Sequence, residues 1–192
     1  MKGIRIFKNK ASNNMGNYAH DYIYLEGLFL IIIYHDVGGA HSTQTAASLH
    51  LNLLPKDRVP TAEELMALPR FDRAEKSDHG RIQLTGIDEY GNTVYTLGRE
   101  YTEKMTITAL KDLYVLLKGD LDGLIIVNMK PTINLLMKIG GYSSRRLHLV
   151  NFGRPIVIKG TQKAFFNIVS LVDQVKEAIK SGKKFMEFNE NA

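Results

Sequence analysis

The sequence predicts an α/β fold: a three-layer, Rossmann-like, mostly parallel sheet carrying an inserted β-hairpin. Three apolar runs carry that prediction, LIIIY at 30–34, GLIIVN at 123–128 and PIVIK at 155–159. None alternates with period two, which suits strands buried on both faces. Each is followed by a stretch with helical apolar spacing, and strands alternating with helices favour a parallel sheet with right-handed crossovers. The hairpin is residues 81–98, with Ile82, Leu84, Val94, Tyr95 and Leu97 in its strands and DEYGN at 88–92 as its turn.

The first unit, LIIIYHDVGGAHSTQTAASLHLNLL at 30–54, organises the rest. His35 and Asp36 close its strand. Gly38 and Gly39 allow a turn with positive φ. Ser42 or Thr43 is the expected N-cap of the next helix. Backbone N–H groups at such a turn, with the positive helix end, can cradle a phosphate or carboxylate without a lysine. Neither G-x-x-x-x-G-K-[ST] nor G-x-G-x-x-G is present, because no Lys follows the glycines and Gly38 and Gly39 are adjacent. A plain strand-to-helix turn would look the same. His35, Asp36 and His41 add titratable groups, with His35 and Asp36 the acid–base candidates. Their spacing matches no metal motif, and no metal ligand set is assigned. His50 reads as a core-edge or surface histidine.

Pro55 ends the first helix. Thr61 and Glu64 form a capping box for a short helix to about Leu68. Residues 71–80 connect to the hairpin, and Asp78-His79-Gly80 reads as an ordinary turn or as a loop contributing to the site. A helix over 106–118 presents a wide apolar face and stops at Gly119. Asn128 ends the second strand, Pro131 suits the next helix's first turn, and Gly140-Gly141 ends that helix. Arg145 and Arg146 follow in a polar loop, where either could clamp an anion in bidentate fashion. PIVIK is the third strand. Thr161 is the expected N-cap of a last helix, whose stripe Phe165, Ile168, Val169, Val172, Val175 and Ile179 is core.

Ligands of such sheets bind at the strand carboxyl ends. The predicted ligand-binding set is therefore Gly38, Gly39, His41, Ser42, Thr43, Asn128, Arg145, Arg146 and Thr161. Three functions are compatible with it. The first is a protein that binds a nucleotide or phosphorylated small molecule, with or without catalysis. The second is a non-catalytic regulatory or partner-binding module, using the hairpin around Tyr90 and Tyr95 or the last helix. The third is a metal-dependent hydrolase using His35, Asp36, His41 and His79. No cofactor and no particular protein partner is indicated.

A chain of 192 residues with net charge +5 and no cysteine is most simply one domain, over residues 30–180, with a flexible tail at 181–192. The mild charge is no footprint for nucleic-acid binding. Without cysteine there is no disulfide and no thiol catalysis, which fits the cytoplasm. No run approaches the roughly 18 apolar residues of a membrane span.

YHDVGGAHSTQTAASLHLNLLP, RVPTAEELMALPRFD, GIDEYGNTVYTLG, GGYSSRRL and GRPIVIKGTQKAF together resemble the Firmicutes family known as domain of unknown function 3189. The resemblance spans about 30–176. It implies a bacterial, cytoplasmic protein from a spore-forming lineage and carries over no activity. Similar sequences often hold Cys at the position of Asp36, so a thiol is not indispensable at this turn. Residues 1–29 look foreign to the rest, polar and rich in Asn. They are expected to be disordered or untranslated: Leu25-Glu26-Gly27 can be encoded with GGAGG, a ribosome-binding sequence, and Leu30 by a TTG start codon. N-terminal mass spectrometry decides this, and a peptide from within residues 10–25 would refute it.

Overall fold

The structure, a computed structural model, describes residues 29–188. The predicted leader lies outside the described residues, apart from Phe29. Strand β1 (Ile31–Asp36) sits at the centre of a five-stranded sheet. Its order is β2 (Ile82–Ile87), β3 (Thr93–Gly98), β1, β4 (Leu124–Asn128), β5 (Met186–Phe188). The expectation of a mostly parallel sheet gives way to a mixed one. The β1–β3, β1–β4 and β4–β5 pairs are parallel, and the β2–β3 hairpin is antiparallel.

Alternation along β1 sends its side chains to two separate apolar clusters on opposite sheet faces. Ile32 and Tyr34 join one cluster, with Ala46, Ala47 and Leu49 of α1 (Ser42–His50), Leu65 of α2 (Ala62–Ala67), and Val157, Phe165, Ile168 and Val172 of α5 (Val150–Lys180). Ile33 joins the other, with Leu97, Leu124, Ile126 and Ile107 of α3 (Glu103–Lys118). Only a narrow stripe of α3, Ile107 with Leu110 and Tyr114, packs on the sheet. Leu113, Leu116 and Leu117 are exposed, so the wide apolar face read from the sequence is largely unburied.

All nine residues of α1 are buried, including six polar ones. Burial of polar groups requires partners, and most are supplied. Gln44 donates to Gly39 O and Thr96 Oγ1. His50 is a core residue rather than an edge one. Tyr34 Oη donates to its Nδ1 at 2.7 Å, and its Nε2 faces Asp88 Oδ2 at 3.2 Å. That chain ties β1, α1 and the hairpin turn together.

Three further expectations differ. PIVIK is not a strand: it lies inside α5, with Pro155 near that helix's start. Its residues continue a buried stripe at helical spacing, Gly153, Val157, Gly160, Thr161, Ala164 and Ile168. The helix cost of β-branched residues, a few tenths of a kcal/mol each, is small beside the burial of that stripe. Thr161 consequently sits mid-helix, with its hydroxyl on Val157 O, and caps nothing. Gly140 and Gly141 do not stop α4 (Leu135–Gly141) either, because the chain runs on into a π-helical turn at Tyr142–Arg146. A Cβ on Gly140 would stand 2.4 Å from Val157 N, and one on Gly153 2.4 Å from Ser144 N. The glycines serve a close crossing of α4 on α5. Part of the predicted tail forms β5, which pairs with β4.

Candidate functional site

The turn after β1 is held by Asp36. Its Oδ1 accepts from Gly39 N at 2.5 Å, and its Oδ2 accepts from Ser42 Oγ. Gly39 has φ +69°, and a Cβ there would meet Gly98 N at 2.6 Å, so only glycine seats this turn against the end of β3. The N-cap of α1 is His41, with Ser42 and Thr43 already inside the helix. The carboxylate of Asp36 thus takes the place at the turn that the cradle reading assigned to a ligand anion.

His41 points the other way, to Asp72. The Asp72 side chain is buried and its φ is +52°. His41 Nε2 lies 3.1 Å from Asp72 Oδ1. Ser144 Oγ donates to the same carboxylate at 2.9 Å, Arg154 Nε at 2.7 Å, and Arg145 Nε lies 3.0 Å from Oδ1. Burial pushes the Asp72 carboxyl up. Hydrogen bonds from His41, Arg154 and Ser144, with the charge of His41, outweigh it and bring the group to about 2. One buried carboxylate therefore faces two guanidinium groups, and this corner is net positive even with His41 neutral.

A second network stands at the ends of β3 and β4. Arg99 Nε donates to His35 Nδ1 at 2.9 Å, and Arg99 Nη2 to Glu103 Oε2 at 2.5 Å. Asn128 Nδ2 donates to Glu103 Oε1 at 2.7 Å, while Asn128 Oδ1 accepts from Lys130 N. Burial first, then the adjacent Arg99 cation, lowers the His35 imidazole to about 3. It is neutral at physiological pH and far too weakly basic for proton abstraction there.

Between the two networks lies a cleft of about 1500 Å³. The loop after β1 leads into α1, in the first apolar cluster, and the loop after β3 leads into α3, in the second. Neighbouring strands whose connections leave to opposite faces open a crevice at their carboxyl ends. Asp36, Gly38, His41 and Ser42 line it from the β1 side, Arg99, Glu100 and Glu103 from the β3 side, and Lys130 from the end of β4. Met137, Lys138, Gly141, Arg145 and Arg146 form the α4 wall. Glu100 is shared across the mouth: His79 Nδ1 is 3.0 Å away and Arg146 Nη1 3.4 Å. The turn at 78–80 thus belongs to the cleft through His79.

Of the predicted set, Asp36, Gly38, His41, Ser42, Arg145 and Arg146 converge on the cleft, and Gly39 supports its turn. His35 and Asn128 stand behind it, engaged with Arg99 and Glu103. Thr43 is fully buried in α1, and Thr161 lies within α5, bonded to its own helix. Asp72, Arg99, Glu103 and Arg154 were not singled out by the sequence. Asp72 stands in the quoted segment PRFD, but no local spacing marks its role. Among the described residues no group of three or more His, Cys, Asp or Glu is placed to hold a metal ion, so the hydrolase reading has no ligand set there. No helix among them is long and apolar enough to cross a membrane.

Neither a curated protein nor a solved structure gives a match to this chain. A family match covers residues 31–177, including both networks and every wall of the cleft, and by it the chain belongs to the family described as Protein of unknown function (DUF3189).

Proposed function

We propose that the protein binds a phosphorylated small molecule, nucleotides included, in the cleft beside the turn at residues 38–43. The two core clusters on opposite sheet faces fit a three-layer, Rossmann-like arrangement, in which this is the expected place for a ligand. The observation that carries the reading is the surplus of positive charge on the α4 side. Arg145 and Arg154 share one carboxylate, and Lys138 and Arg146 stand on the wall with Arg145. The anion is met by these side chains across the cleft from Asp36. Arg145 Nη1 has no hydrogen-bond partner among the described residues and can donate to the ligand. Ile133, Met137, Ile139 and Tyr142 give the same cleft an apolar side for the rest of the molecule. The cytoplasm, with its phosphorylated metabolites, is the compartment this reading favours.

A thermal-shift panel of phosphate, nucleotides with and without Mg²⁺, and sugar phosphates tests it. A ligand at about a hundred times its dissociation constant adds roughly 2.7 kcal/mol, several degrees for a chain of this size. The expected result is a phosphorylated hit that is lost in the Lys138→Glu/Arg146→Glu double variant. A hit that stabilises the double variant equally would place the ligand elsewhere. A partner-binding role is the second reading, favoured by Leu116 and Leu117 of α3, which are 80% and 73% exposed.

A further inference from the structure

We propose that His41 is the proton-accepting catalytic residue of the cleft and that the bound phosphate monoester is hydrolysed there, an inference that rests on the phospho-ligand reading above. Three observations place His41 in this role rather than His35 or Asp36. The first is orientation. Asp72 is a carboxylate and can only accept, so the proton of neutral His41 is on Nε2, 3.1 Å from Asp72 Oδ1, and the lone pair is on Nδ1. A buried carboxylate that fixes the tautomer and ring angle of a histidine is the arrangement general bases use.

The second observation is access. His41 lines the cleft with its ring packed edge-on to Phe71, and the residue over its free edge is Gly141. A Cβ on Gly141 would stand 3.2 Å from His41 Cε1 and 3.4 Å from Nδ1. Gly141 is itself helical, with φ −65° and ψ −42°. Its backbone therefore has no need of glycine. The missing side chain leaves the space beside Cε1 and Nδ1 unfilled. The third observation is the neighbouring charge. Arg145 shares Asp72 with His41, so a guanidinium and a lone-pair nitrogen are anchored on one carboxylate. Phosphoryl transfer needs such a pairing, with a cation against the equatorial oxygens and a group that orients and deprotonates the nucleophile.

The step balances without a further reactant. A water oxygen forms a bond to phosphorus as Nδ1 takes one of the water protons. The bond from phosphorus to the ester oxygen breaks with its electron pair leaving on that oxygen, which takes a proton from bulk water. The products are the alcohol and inorganic phosphate, and His41 returns its proton to solvent. Asp72 is a positioning residue in this scheme and does not touch the substrate.

The test is release of p-nitrophenol from p-nitrophenyl phosphate, and of inorganic phosphate from nucleoside 5′-monophosphates. The parent protein, Gly141→Ala and His41→Gln are compared, with melting temperature and ligand-induced stabilisation measured in parallel. The expected result is measurable turnover by the parent. His41→Gln loses about a hundredfold or more of it. Gly141→Ala has a helix-propensity gain set against a Cβ 3.2 Å from His41 Cε1, so its melting temperature stays within a few degrees of the parent, yet it loses at least about tenfold in kcat. A role of Gly141 in helix packing alone would leave kcat untouched. Turnover unchanged in either variant overturns the inference. Binding of the phosphorylated compounds without any turnover also overturns it and leaves the binding reading standing. Failure of every compound to bind removes both.

Discussion

The buried histidine at the end of β1 makes stability fall with acid well above the carboxylate range. His35 is 1% exposed, and its Nδ1 accepts from Arg99. Protonating it would set a charge without solvent beside a guanidinium. Its folded value is therefore about 3, against 6.5 when unfolded. Below pH 6.5 the unfolded chain gains a proton at this site and the folded chain does not. Stability is thus lost progressively as pH falls from 6.5 towards 3. One unit of separation corresponds to about 1.4 kcal/mol, so acidification from pH 7.5 to 5 costs about 2 kcal/mol from this residue alone. That corresponds to a drop of about 4–8 °C in melting temperature. His50, whose value burial also lowers, adds in the same direction. A His35→Asn variant separates the two, because asparagine keeps an acceptor for Arg99 and cannot titrate. Urea unfolding at pH 7.5 and pH 5 is the assay. The parent should lose about 2 kcal/mol more than the variant between the two. Equal losses would refute the reasoning that His35 remains unprotonated in the fold.

Other perturbations follow from the same contacts. Gly39→Ala puts a non-glycine residue at φ +69° with its Cβ 2.6 Å from Gly98 N; a loss of about 3 kcal/mol or more is expected in the urea midpoint. Asp72→Asn leaves Arg145, Arg154 and His41 with a neutral partner. Fully buried ion pairs lose about 3–5 kcal/mol when broken, and partial exposure of the two arginines brings the expected loss to about 2–3 kcal/mol at pH 7. The difference should shrink between pH 4 and pH 2, where the depressed carboxyl protonates. Tyr34→Phe strips the donor from His50 Nδ1 in a fully buried position, for about 1–2 kcal/mol in calorimetric unfolding.

Legibility in the sequence divided along physical lines. β1 and β4 could be read because a continuous β-branched run between turn residues has few other uses. The hairpin declared itself through its turn, where Gly91 takes φ +86° and Asp88 caps the loop. PIVIK misled because composition and period disagreed there. The local run favours a strand, while Gly153, Val157, Gly160 and Ala164 repeat at helical spacing, and burial against α4 decides. The strand and turn carrying Asp36 and His41 were apparent. Their partners were not: Asp72 meets Arg154 from 82 residues away and Ser144 from 72. Contacts of that range leave no spacing in one sequence. Arg145 reads from the sequence as a candidate anion contact, and in the fold it lies against the Asp72 carboxylate. That its anchor is an internal carboxylate could be seen only once the fold brought residue 72 beneath it.

Isothermal titration of the parent and of the Lys138→Glu/Arg146→Glu variant, each against the best phosphorylated compound of the thermal panel, tests the cleft most directly. The parent should bind one equivalent. The variant, which reverses two exposed charges on the α4 wall without touching the Asp72 network, should bind at least about tenfold more weakly, since each exposed charge contact contributes on the order of 0.2–1 kcal/mol and its reversal adds repulsion. Equal dissociation constants in the two proteins would contradict an anion site in this cleft.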